Sequence, residues 1–434
     1  MKIGVIGTGY VGLTLACLAD YGNEIVFVGR SQGKIDNLKG GILPIFENGL
    51  GEILSRNLER KRISGTTNYT GLKETEIIFI CVGTPSLNDD SIDLSQIKAV
   101  SENLGNLIKQ TDDYKVIVVK STVVPGTTRN VVTPILEQLS GKKAGKDFGV
   151  CMNPEFLREG EGVQDFLNPD KIVIGGYDKK SSSALISLYN FYDTRIPRIL
   201  TNLNTAEMIK YAQNAALATR ISFINEIANI CERFGVDVYE VSHAISLDSR
   251  IGPKFLNAGA GFGGSCFPKD VKALLSAAKF VDVNPILLDA ILTVNEIQPY
   301  RMVELAKKTL GDLDKKKIAV LGLAFKADTD DMREASSIPI INSLLKENAI
   351  VRVYDPQAME NAKKIFGNSL EYCSSKEECL MNADLCMVVT EWDEFKELDL
   401  SVIKCPIVDG RRVFDPIKVE QSGLVYKGIG WRNN

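Results

Sequence analysis

The stretch GAGFGGSCFPKD, residues 259–270, sets one cysteine in a run of glycines, with Lys269 three residues later and Asp270 four. The plain reading is a flexible loop with an incidental thiol. The chemical reading is sharper. Glycines let backbone approach a ligand and leave Cys266 accessible, while Lys269 and the start of a following helix favour its thiolate. Asp270 can accept a proton or orient a water.

A second constellation supplies what a thiolate alone lacks. GTGYVG puts Gly7, Gly9 and Gly12 in the G-x-G-x-x-G spacing between the strand KIGVI and a helix. The first glycine permits the tight turn, the second admits a pyrophosphate and the third allows close helix–strand packing. A dinucleotide beside a nucleophilic cysteine points to two successive oxidations. An alcohol loses hydride to give a carbonyl, the thiol adds, the tetrahedral adduct loses a second hydride, and hydrolysis of the thioester releases an acid.

The acid expected at the end of the second strand, to hold the ribose hydroxyls, is missing: EIVFVGRSQGK has Gly29 there, then Arg30, with Ser31 and Lys34 close by. An arginine so placed can pair with a 2′-phosphate and favour NADP, or stack on adenine without preference. Both readings stand.

Other candidates are polar residues in apolar company. NPEFLREG carries Glu155 and Glu159 with Arg158 between them. If the segment is helical the two carboxylates share a face that could hold a water or a sugar hydroxyl; otherwise it is a solvated loop. KSTVVPGT places Ser121 and Thr122 at a strand end, where open α/β sheets put their ligands. Lys210 and Asn214 lie four residues apart on a long helix, as surface residues or as a directed polar pair. The single histidine, His243 in VYEVSHAIS, reads as a helix-face residue, so the chemistry must proceed largely without histidine.

The elements that must position these groups follow from periodicity. Apolar runs such as EIIFICVG, YKVIVVKST, DFGVCMNPE and DKIVIGG alternate with helical patterns, which predicts a doubly wound, mainly parallel sheet over residues 1–195. A long helix follows from LNTAEMIKYAQNAALATRISFINEIANICERFGVD, with Asn204 and Glu207 as a capping box and Gly235 as its stop. It opens a helical middle segment, 196–311, that carries the cysteine loop and supports a dimer. Strand grammar returns in 312–434, where KIAVLGLAFK…AIVRVYDP weakly repeats KIGVIGTGYVG…EIVFVGR. The fold class is therefore α/β, with two Rossmann-like domains joined by a long central helix and a helical middle domain.

Composition narrows the class further. Of 434 residues 44% are hydrophobic and 24% charged, and the net charge of -4 gives no reason to bind nucleic acid. No apolar run approaches the roughly 20 residues of a membrane span, and the glycine-interrupted N-terminus is not a signal peptide. A cytoplasmic protein is expected. The nine cysteines have no C-x-x-C spacing and suggest neither a disulfide framework nor a metal site.

Taken together, GTGYVG, VGTPS, KSTVVPGTT, NPEFLREGEGVQDFLNPDKIVIG, EMIKYAQNA, RIGPKFLNAGAGFGGSCFPKD, LGLAFKADTDDMREASS and VDGRR resemble, in order and along essentially the whole chain, the UDP-glucose 6-dehydrogenase family of UDP-sugar dehydrogenases. The resemblance implies oxidation of UDP-glucose to UDP-glucuronate with two dinucleotides, NAD being the family's default. It gives Cys266 the role of thiohemiacetal and thioester nucleophile and Lys210 that of oxyanion partner. Asn214 and Asp270 would position the water and Lys210, Thr122 would hold the water, and Glu155 would be the base for hydrolysis.

On the cofactor side the resemblance implies Tyr10, Val11, Val82, Gly83, Thr84, Ser121, Thr122, Glu159 and Arg333, beside the glycines, Arg30 and Lys34. On the substrate side it implies Phe156, Leu157, Arg158, Lys254, Phe255 and Leu256 of the PKFLNAG loop, Gly263, Phe325 and Lys326, with Arg250 reaching the active site of a neighbouring subunit in a homodimer. Ser265 stands where relatives acting on N-acetylhexosamine sugars tend to carry a histidine. UDP-galactose or UDP-N-acetyl-mannosamine is the alternative substrate, and a catalytically silent nucleotide-sugar binder the rival of another class.

Overall fold

The structure is a computed structural model that describes residues 1–432. The chain forms two compact units, 1–213 and 214–434, with the division inside one helix, Leu203–Phe234.

The first unit is built on eight strands: β1 (Lys2–Ile6), β2 (Glu24–Val28), β3 (Ile63–Thr66), β4 (Ile77–Ile80), β5 (Val116–Val119), β6 (Gly149–Met152), β7 (Ile172–Gly176) and β8 (Arg198–Asn202). Their order is β3-β2-β1-β4-β5-β6-β7-β8. Six run parallel, and β7, antiparallel to β6, carries the parallel β8 beside it. The central strands are continuous apolar runs because both faces are covered. Ile77 and Phe79 of β4 enter one core, Ile78 and Ile80 the other.

The second unit holds β9 (Lys317–Leu321), β10 (Ile350–Tyr354), β11 (Glu371–Tyr372), β12 (Leu385–Val388), β13 (Ile407–Asp409) and β14 (Tyr426–Gly428), all parallel, in the order β11-β10-β9-β12-β13-β14. The order matches the first six strands of the first sheet. Ile224, Ala228 and Val238 of the helical segment share one core with Ile318, Val320 and Leu385 of this sheet.

Two local expectations are corrected. The long helix begins at Leu203 and is capped by Asn202, whose Oδ1 accepts from the Thr205 amide at 2.9 Å; Asn204 is not its cap. Glu207 turns instead to the loop after β5, accepting from the amides of Gly126 at 2.6 Å and Thr128 at 2.8 Å. Gly235 does end the helix, with φ 67°. Residues 153–158 are not helical, so Glu155 and Glu159 do not share a helix face.

Candidate active site

In the first unit two of the three fingerprint positions can only be glycine. Gly7 has φ +117°, and a Cβ on it would stand 2.4 Å from the Cys81 carbonyl oxygen; one on Gly12 would stand 2.1 Å from that of Gly7. Gly9 has nothing within 4 Å of its Cβ position, so backbone is open to an approaching phosphate. The turn thus fits a dinucleotide. Tyr10 and Val11 open the short helix Tyr10–Thr14, and Val82, Gly83 and Thr84 follow β4. The Thr84 hydroxyl donates to the Thr122 carbonyl at 2.8 Å, and Ser121 donates to the Val82 carbonyl at 2.7 Å. These bonds tie together two loops at the carboxyl ends of β4 and β5, where such sheets bind ligands.

Beside them the structure joins Glu155 to Lys210. The Glu155 carboxylate lies 2.8 Å from Lys210 Nζ, both side chains being buried, and its other oxygen accepts from the Leu157 amide at 2.6 Å. Burial pushes the Glu155 acid up, but the pull of Lys210, the Leu157 amide and Lys120 outweighs it and leaves the group below the ordinary carboxylate value. The surface reading of Lys210 is therefore excluded. Its Nζ stands 5.7 Å from the centre of the Phe156 ring, which Lys171 approaches to 4.3 Å.

Lys120, directly after β5 and not among the expected site residues, interacts electrostatically with both members of this pair. It is buried, donates to Asn153 Oδ1 at 3.0 Å, and is pushed down to about 8 by burial, with Cys81 and Glu155 opposing the fall and Lys210 adding to it. Tyr189 donates to the same Asn153 oxygen at 2.6 Å. The available signal was a lysine placed directly after the all-apolar VIVV of β5.

Arg158 is exposed and engaged by Asp165 at 2.6 Å, and Leu157 packs against a core. Glu159 is half-buried in the turn before the helix Gly162–Leu167. Arg30 and Lys34 are exposed at and after the end of β2.

In the second unit Cys266 stands at the N-terminal cap of the helix Phe267–Phe280, its Sγ 3.4 Å from Ser265 Oγ. Of the nine cysteines it alone is not buried. Asp270, one turn on and buried, accepts from Asn214 Nδ2 at 2.6 Å, so the structure brings this pair together. Lys269 is corrected: its ammonium pairs with Asp270 at 2.5 Å, so it is engaged by that carboxylate.

The glycines of the cysteine loop are also reinterpreted. A Cβ on Gly263 would lie 2.3 Å from the Glu334 carbonyl oxygen, and Gly264, at φ +83°, would meet the Phe325 ring at 2.8 Å. Their first duty is close packing against the loop that follows β9. Phe325 and Lys326 are half-buried in that loop, where Arg333 pairs with Asp331 at 2.6 Å. Lys254 is exposed, Phe255 takes φ 62°, and the Leu256 side chain belongs to the core, leaving only its backbone for a ligand. Arg250 is largely exposed and held by Asp248 at 2.6 Å. His243 is exposed on the helix Val238–Ser246. Among the described residues no cluster of His, Cys, Asp and Glu could hold a metal, and no helix is long and apolar enough to cross a membrane.

Comparison with known proteins is consistent along the chain. Residues 1–193 match the profile described as UDP-glucose/GDP-mannose dehydrogenase family, NAD binding domain. Residues 204–297 match the same family's central domain and 319–416 its UDP binding domain. The chain is 43% identical to the UDP-glucose 6-dehydrogenase AglM of Haloferax volcanii, over 99% of this chain and 100% of that one. It is 42% identical to the UDP-glucose 6-dehydrogenase TuaD of Bacillus subtilis, over 99% and 93%. The solved UDP-glucose dehydrogenase of Pyrobaculum islandicum superposes with a TM-score of 0.93 at 38% identity, covering 99% of this chain and 98% of that one.

Proposed function

Because the chain belongs to the UDP-glucose/GDP-mannose dehydrogenase family, we propose that it is a UDP-glucose 6-dehydrogenase, oxidising the C6 hydroxymethyl group to a carboxylate and releasing UDP-glucuronate. The observation that carries the reading is Cys266, half-exposed at a helix start one turn before the buried Asp270 that Asn214 holds. Relatives at about 40% identity over their full lengths carry that substrate in their names, and Ser265 before the cysteine supports glucose over N-acetylhexosamine sugars.

The dinucleotide, when bound, accepts a hydride in each of two oxidations. Between them the Cys266 thiolate adds to the C6 aldehyde to form a thiohemiacetal; loss of the second hydride leaves a thioester, and water releases the acid and restores the thiol. Lys210 Nζ stabilises the oxyanion of the tetrahedral species. Glu155, kept ionised by Lys210 and the Leu157 amide, takes the proton of the attacking water. Thr122 holds that water, and Asn214 with Asp270 positions it.

On the substrate side the reading uses Phe156, Leu157 and Arg158, the Lys254 to Gly259 loop, Gly263, Phe325 and Lys326. The segments 1–195, 196–311 and 312–434 divide the work as cofactor domain, helical middle and UDP-sugar domain. The working unit is a homodimer in the cytoplasm. Exposed Phe223, Ile230 and Phe234 along the long helix support the pairing of two copies, in which Arg250 would serve the neighbouring site.

Incubation with UDP-glucose, UDP-galactose and UDP-N-acetyl-mannosamine, with NAD and NADP in turn, tests the reading. Two reduced cofactors per UDP-glucose are expected; reduction with another sugar alone reassigns the substrate, and tight binding without any reduction sinks the oxidation.

A further inference from the structure

We propose that residues 29–34 form a recognition site for a 2′-phosphate, so that the chain prefers NADP to NAD; this rests on the dehydrogenase reading above and assigns the cofactor half of it. The place is fixed by the fingerprint. The Gly7 amide donates to the Val28 carbonyl at 3.0 Å, tying the phosphate turn to the last residue of β2. The next residue is the position from which such folds address the adenosine ribose.

At that position the acid is absent, and the space for a side chain is tight. A Cβ on Gly29 would stand 3.0 Å from Ile35 Cδ1 and 3.5 Å from Thr8 Cγ2, and Ile35 is fully buried. No neighbouring acid takes over. The first turn of the helix Gln32–Lys39 contains none, and its one carboxylate, Asp36, accepts from Gln32 Nε2 at 2.8 Å. A carboxylate hydrogen-bonded to ribose hydroxyls would repel a dianion in the same place. Gly29 removes that repulsion, and the Ile35 methyl makes the place a tight one for any side chain.

What stands there is positive and able to donate. Arg30 and Lys34, four residues apart, are both exposed, and among the described residues neither is in an ion pair. Arg30 offers the planar fork that phosphate oxygens accept in pairs, and Lys34 a point charge. Ser31 caps the helix by accepting from the Lys34 amide at 3.4 Å, which leaves its hydroxyl proton to donate. Exposed cations are ordinarily only solvated. These two are distinguished by flanking a capping hydroxyl at the ribose position of a dinucleotide fold, with no acid at the strand end or in the first turn of the helix to compete.

The test is calorimetric titration of the full chain with adenosine 2′,5′-bisphosphate and with adenosine 5′-monophosphate, which differ only in the 2′-phosphate. The bisphosphate should bind more tightly by on the order of tenfold to a hundredfold. Arg30→Ala should erase most of that ratio and Lys34→Ala part of it. Equal affinities in the unaltered chain, a ratio untouched by Arg30→Ala, or no binding of either nucleotide overturns the proposal. Turnover gives an independent arm: kcat/KM should be higher with NADP than with NAD, and an equal or higher value with NAD also overturns it. If the 2′-phosphate is discriminated but no UDP-sugar is oxidised, the substrate reading fails and the cofactor assignment stands.

Discussion

In the first sheet the amide of Gly7 bonds the Val28 carbonyl at the end of β2; in the second, the amide of Gly322 bonds the Tyr354 carbonyl at the end of β10. Gly322, at φ +92°, would press a Cβ 2.4 Å from Thr390, much as Gly7 would strike Cys81. The next residue then separates the two. Gly29 carries no side chain and packs near Ile35, with Arg30 exposed beside it. Asp355 is buried and accepts from the amides of Leu323, Ala324, Gln357 and Ala358 and from Trp392 Nε1, at 2.7 to 3.1 Å. Asp355 stands at the position after β10 that Gly29 holds after β2, where such folds often place a ribose-binding acid. By structure its oxygens are occupied in holding the loop that replaces a phosphate turn. A shared strand–glycine–strand scaffold therefore does not decide what is bound; the partners already present at the strand ends do.

The sharpest way to break this contrast is Asp355→Ala, which orphans four amides and an indole N–H in a buried place. It should cost about 3–5 kcal/mol of stability in denaturant unfolding. A loss below about 1 kcal/mol would mean that those bonds are dispensable and that Asp355 is kept for a ligand after all.

Next in size is a difference in pH dependence at the ends of β5 and β13. Lys120 is pushed down from 10.5 to about 8, so between those values the unfolded chain binds the proton that the folded chain has shed. Its contribution rises with pH across that window and is lost as pH falls back to 8, by up to about 3 kcal/mol. Asp409, pushed up by burial above its ordinary 3.8, has the opposite slope: the folded chain keeps a proton the unfolded chain gives up, so stability falls as pH rises from there. Unfolding midpoints from pH 8 to 10 should shift in favour of the unaltered chain relative to Lys120→Met. A difference that does not change with pH removes the buried-amine account.

The two glycines make a matched pair with smaller effects. Gly7→Ala and Gly322→Ala should each cost about 1–3 kcal/mol, since both place a Cβ against neighbouring atoms from a left-handed backbone. Only Gly7→Ala should also weaken dinucleotide binding, read by quenching of intrinsic fluorescence. Equal loss of cofactor affinity in both variants would erase the functional distinction between the turns.

How far the sequence reached follows the same line between scaffold and partner. Strands with both faces buried, such as IIFI and VIVV, announced themselves as apolar runs, and the fingerprint glycines fixed the first turn. β8 was missed because its position at the edge leaves Ile199 and Leu200 exposed among polar neighbours, so no buried run marks it. The cap at Asn202 was misplaced by two residues because Glu207, the other half of the expected box, serves the Gly126–Thr128 loop, a partner far away in sequence. Cys266 and Asp270 stood out as candidates from spacing alone, and the structure sets them one turn apart at a helix start. The burial of Lys210 against Glu155, and Lys120 behind them, depends on side chains meeting from separate strands and a helix. The weak repeat was legible too, but not that its aspartate had changed occupation.

The smallest expected effect bears most directly on the first strand end. Arg30 is exposed and in no ion pair among the described residues, so Arg30→Ala should change stability by less than about 0.5 kcal/mol, a shift of roughly one or two degrees in Tm. The same truncation at Arg411, which donates to the Val389 and Gly261 carbonyls at 3.0 Å, removes structural bonds and should cost about 1–2 kcal/mol. A fall for Arg30→Ala as large as that for Arg411→Ala would show that its guanidinium is already committed to the fold. It would then have no charge to spare for a phosphate, and the two strand ends would differ in composition without differing in kind.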